Sequence, residues 1–135
     1  MMMRRINSNS RTGAAAVEFA LTLPVLLLLL FGGYELSRAN MMMHTAEAAA
    51  YEGARVGIVP GASADAVRDE AQRVLNTIGV QNATIEIEPA NLADESDQIS
   101  VTIEFSFADN SLLVPQFMGT QPFIRTCRLI RENAN

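Results

Sequence analysis

Lysine is absent from all 135 residues, and cysteine and histidine each occur once. A single cysteine excludes an intrachain disulfide. Cys127 lies in an apolar-patterned segment, so a buried, inert thiol is the expectation, with an intermolecular bond as the other option. His44 has no cysteine or second histidine to join it, so no metal or other cofactor is expected. No Ser/His/Asp set, catalytic Cys/His pair or phosphate loop is recognisable, and the chain is not expected to be an enzyme. Arginine is thus the only strong cation. From Glu35 onward seven Arg stand against fourteen Asp or Glu. Nucleic acid needs a basic face to neutralise its phosphates, so that partner is excluded.

What the chain does have is one long apolar run. Between Thr12 and Tyr34 the only charge is Glu18. About 20 apolar residues cross a typical hydrocarbon core, so this window is long enough to span. The preceding Arg4, Arg5 and Arg11 place the N-terminus in the cytoplasm by the positive-inside rule, and the remainder outside. A carboxylate within a bilayer helix costs roughly 2.5–3.5 kcal/mol, which makes Glu18 a functional candidate. It also lies near the start of the run, where partial hydration at the headgroups would relieve that cost. Three fates fit the N-terminus. A basic flank and apolar core describe a secretory signal peptide, with Ser37-Arg38-Ala39 as a small-x-small cleavage site. The same features describe an uncleaved single-pass anchor.

The third fate comes from the order of residues. Gly13-Ala14-Ala15-Ala16-Val17-Glu18-Phe19 after a basic leader resembles the processing site of type IV prepilins and pseudopilins. The wider span adds Leu21-x-Leu23-Pro24 before a leucine run, Tyr34-Glu35-x-x-Arg38, and an Ala-rich segment ending Glu52-Gly53-Ala54-Arg55. Together these are similar to the TadE-like family of the tight-adherence (Flp) pilus machinery. The resemblance implies a minor pilin or pseudopilin, cut by a prepilin peptidase between Gly13 and Ala14. Glu18 then becomes the fifth mature residue and, with Phe19, a register element for assembly. The implied partners are other pilins or pseudopilins, the inner-membrane assembly platform and the lipid bilayer. The implied layout is a leader over 1–13, a transmembrane helix over 14–34, a helical stalk over 35–58 and an exported domain over 59–135. Pro24 would kink the helix, either as a bend used in assembly or as ordinary tolerance. Gly32-Gly33 could admit a close neighbour, although no small-xxx-small repeat runs through the leucines.

Ala39, Met42, Met43, Ala46, Ala50 and Ala54 recur at helical spacing, so helix is expected to continue to Gly57. A helix over 14–57 would be about 66 Å long. Met41, Met42 and Met43 point in different directions on it, so packing rather than metal ligation is expected. Val59-Pro60-Gly61 breaks the helix. Ser63 is the N-cap of a second helix, with Val67, Ala71, Val74, Leu75 and Ile78 on its apolar face and Gly79 as its stop. The period then becomes two: Ile85 and Ile87 alternate with polar residues, as do Ile99, Val101, Ile103, Phe105 and Phe107. Residues 91–98 form an acidic tip containing Asp94, Glu95 and Asp97, without the ligand order of a calcium loop. A third strand over 123–130 has no assignable inward face, and 112–117 is either a packed loop or a contact surface. The fold class is α+β: a long N-terminal helix, a second amphipathic helix and a three-stranded, antiparallel sheet. That is close to the lower limit for independent stability.

Overall fold

Alternating β-branched and aromatic residues build the centre of the molecule. The computed structural model describes residues 9–90, 92, 97–111 and 122–131. In it Gln98–Ser106 forms the middle strand (β2) of a sheet flanked by Thr84–Glu88 (β1) and Pro122–Ile130 (β3). Both pairings are antiparallel, with Ile87 opposite Val101 and Val101 opposite Cys127. Ile99, Val101, Ile103 and Phe105 all point inward and are buried, as is Phe107 just beyond. Phe123 stacks on Phe105 at 5.6 Å and meets Phe107 edge-on at 6.3 Å. Full burial of each such side chain stabilises the fold by about 1.5–3 kcal/mol.

Two helices complete the chain: Asn9–Gly57 (α1) and Ala64–Asn76 (α2). Compact units divide α1 between Leu36 and Ser37. In the second unit α1 presents Ala39, Met42, Ala46, Ala49, Ala50 and Ala54 to the core. Spacings of three or four residues, apart from the adjacent Ala49–Ala50 pair, lay them along one face. Small side chains there permit close approach. A Cβ on Gly53 would lie 3.3 Å from Ala71 Cβ and from Val67 O, and one on Gly57 would overlap Ile99 Cδ1.

Breaks and caps fall where backbone chemistry demands them. Gly61 takes φ +82° in the turn after α1, a left-handed conformation natural to glycine. Ser63 caps α2, its Oγ accepting from Ala66 N at 3.2 Å, and Asp65 sits in the first turn. Val67, Ala71 and Leu75 are the buried face of α2. The helix ends at Asn76, and Gly79 follows with φ +69°.

Several details depart from or complete the sequence expectations. α1 begins at Asn9, so helix runs through Gly13 instead of starting beyond it, and it continues through Pro24 without a break. The inward face of β3 is Phe123, Arg125, Cys127 and Leu129, opposite Phe105, Ile103, Val101 and Ile99. Arg125 occupies a core-facing position by donating from Nη2 to Met43 Sδ at 3.4 Å, keeping its stem on apolar surface. Cys127 is only half-buried, a correction to the buried thiol expected. Burial nevertheless pushes its thiol above the ordinary range, with the negative charge of Glu47 adding to the shift. Residues 112–117, Asp94 and Glu95 lie outside the described residues.

Candidate functional site

From Gly13 to Tyr34 not one side chain of α1 is buried. Phe19 is 63% exposed and Leu28 70%. The most apolar 18-residue window has a mean hydropathy of 2.3 with none of it covered. A helix apolar on all sides needs an apolar surrounding, which for this segment is a bilayer or neighbouring helices. The helix is long and apolar enough to cross a membrane.

The sequence-named residues sit together at its start. Ala14 and Glu18 are four residues apart, one turn and about 6 Å along the axis. Both are exposed, as are Gly13 and Phe19. The Glu18 carboxylate has no hydrogen bond or ion pair among the described residues. Its backbone carbonyl accepts from Thr22 Oγ1 at 2.9 Å, and that hydroxyl also reaches Phe19 O at 3.3 Å. Such back-bonding satisfies carbonyls within the apolar segment. Pro24, two residues on, supplies no N–H to Ala20 O.

Glycine separates sites that serve the chain itself from sites that do not. A Cβ on Gly13, Gly32 or Gly33 would meet nothing within 4 Å. Among the described residues no contact requires glycine at those three positions.

A second polar centre escaped the sequence reading. Asn110 is buried, its Oδ1 accepting from Gln81 N at 2.7 Å while Nδ2 donates to Gln81 O at 3.0 Å and Ser106 O at 2.9 Å. Arg38 Nε donates to Asn110 O at 3.1 Å. An amide paired in this way replaces a strand neighbour, and only three-dimensional context reveals it. It gives the arginine of Tyr34-Glu35-x-x-Arg38 a structural task where the second unit's part of α1 begins. Ala39, beside it, is 3% exposed. Among the described residues no three His, Cys, Asp or Glu side chains converge on a metal-sized site.

Neither a curated protein nor a solved structure matches the chain. The stretch that does match a known family begins at the glycine before Ala14 and takes in Glu18, Pro24 and the Ala-rich face. Residues 13–55 fit the family model described as TadE-like protein.

Proposed function

We propose that the chain is a minor pilin or pseudopilin of a Flp-type (tight-adherence) pilus or secretion apparatus. It is cleaved after Gly13 and assembled through its N-terminal helix. The observation that carries this reading is the family match starting at Gly13, on a stretch of helix over 13–34 that has no buried side chain and whose one acid, Glu18, pairs with none of the described residues. Cleavage creates an α-amino group on Ala14, with a reference pKa of about 7.7–8.0, largely cationic at neutral pH. Glu18 of a neighbouring subunit can pair with that amine and set axial register. With both charges poorly hydrated, loss of either partner costs several kcal/mol. The role is assembly rather than catalysis. Its partners are a prepilin peptidase, other pilins or pseudopilins, the inner-membrane assembly platform and lipid. The orientation follows the Arg leader, with the N-terminus cytoplasmic and residues 59–135 outside.

One observation favours a second reading, an uncleaved membrane-anchored binding module. The Gly13–Ala14 bond lies within α1, so a peptidase has to unwind that turn. Signal-peptidase release after Ala39 is disfavoured, because Ala39 is in the core and Arg38 is tied to Asn110. Co-expression with a prepilin peptidase separates the two readings. Shortening of the wild-type chain, with Gly13→Leu remaining full length, supports processing. A wild-type chain left intact by active peptidase leaves the anchored module.

A further inference from the structure

β1 and β3 are the two edges of the sheet, and they carry opposite charge on its outward face. Glu86 and Glu88 are exposed on β1, and Arg128 is exposed on β3. None of the three has a hydrogen bond or ion pair among the described residues. The register sets Glu88, Ser100 and Arg128 in one row across the sheet, and Glu86, Thr102 and Thr126 in the next. Within one chain the ends of a row are two strand spacings apart, about 10 Å, and no ion pair joins them in the structure. Ile130 lies next to Arg128 on the same face and Ile124 lies beyond Thr126, 75% and 49% exposed.

We propose that β3 of one copy adds in parallel to β1 of a second copy, bringing Arg128 beside Glu88 of the next chain. β1 and β3 run in the same direction, so a copy shifted along the hydrogen-bonding direction continues the sheet and keeps the rows aligned. Each junction then unites the acidic edge with the basic one at the spacing of ordinary cross-strand neighbours. The symmetric alternative, β1 against β1, opposes Glu86 and Glu88 to like charges and is disfavoured. Pairing β3 against β3 leaves both acids unmatched. A head-to-tail junction leaves a fresh β1 and a fresh β3 at its ends, so further chains can add beyond a dimer. The contact uses β1 and β3 alone and does not depend on cleavage at Gly13.

The test uses the full chain in detergent micelles, with Cys127→Ser, Glu86→Cys and Thr126→Cys. These two positions share a row but lie beyond disulfide reach within one chain. Mild oxidation should give a ladder of dimers, trimers and longer species, while each single-cysteine chain stays monomeric. Adding Arg128→Glu or Glu88→Arg should lower the cross-linked fraction roughly fivefold, and combining the two should restore it. Sedimentation of the same charge variants without added cysteines gives a reading independent of disulfide geometry. A ladder that stops at dimer, equal cross-linking by Thr126→Cys alone, or monomer throughout overturns the proposal. The last outcome would make the charges guards that keep the edges single.

Discussion

Residues 13–36 and 37–57 belong to one helix, yet they use small and large residues in opposite ways. In the upper stretch Ala39, Ala46, Ala50 and Gly53 are small and buried, and Gly53 and Gly57 let α2 and β2 come close. In the lower stretch Leu26 to Leu30 are large and exposed, while Gly13, Gly32 and Gly33 border open space. The upper stretch is explained by contacts within the chain. The lower one is explained only by something outside it. Helix propensity alone does not distinguish the two, since leucine and alanine are both strong helix formers.

Phenylalanine gives the sharpest test of this division. Phe105→Ala should lower the unfolding free energy by about 3–5 kcal/mol, since it opens a cavity beside Phe123. Phe19→Ala, on the exposed stretch, should change it by no more than about 0.5 kcal/mol. Urea unfolding of the full chain in micelles measures both. A large loss at Phe19 would break the division.

Glycine offers the next contrast. Gly57→Ala forces a methyl group against Ile99 and to within 3.1 Å of Val67 Cγ2, for an expected loss of about 1–3 kcal/mol. Gly32→Ala meets open space and should stabilise the helix by about 0.5–1 kcal/mol. If Gly32→Ala leaves unfolding intact but impairs assembly, Gly32 touches a neighbouring chain, and the comparison gains a contact.

The smallest expected effect concerns Cys127. Its folded pKa is raised, so the protonated thiol is favoured by the fold. That contribution is complete below the ordinary thiol range and fades as pH climbs through the higher folded value. Iodoacetamide should modify Cys127 more slowly than a free cysteine at pH 8, with the gap narrowing at more alkaline pH. Modification at the rate of free cysteine would mean the inner face of β3 is open.

The sequence made some of this legible and hid the rest for physical reasons. β2 was readable because period-two alternation is strict when one face is fully buried, and α2 because Ser63 and its i, i+4, i+8 apolar face agree. The α1 stripe was readable apart from Ala49, one alanine among three whose facing depends on the partner surface. β3 was unreadable because both faces carry apolar residues and an arginine faces inward. Asn110 was invisible, since an amide standing in for a strand has no local signature. At the N-terminus the apolar span was evident from composition, Glu18 stood out as its only charge and Pro24 as its missing donor, while Gly13, Ala14 and Phe19 were singled out by family resemblance. The structure adds that, among the described residues, a Cβ at Gly13 would meet nothing and the Glu18 carboxylate has no partner.

The central claim is that the lower stretch of α1 is built for a processed, assembled state. The N-terminal sequence of the protein recovered from its native membrane tests it most directly. A start at Ala14, with the α-amine placed one turn from Glu18, is the predicted result. A start at Asn40, or an uncut chain still carrying Arg4, Arg5 and Arg11, would contradict it.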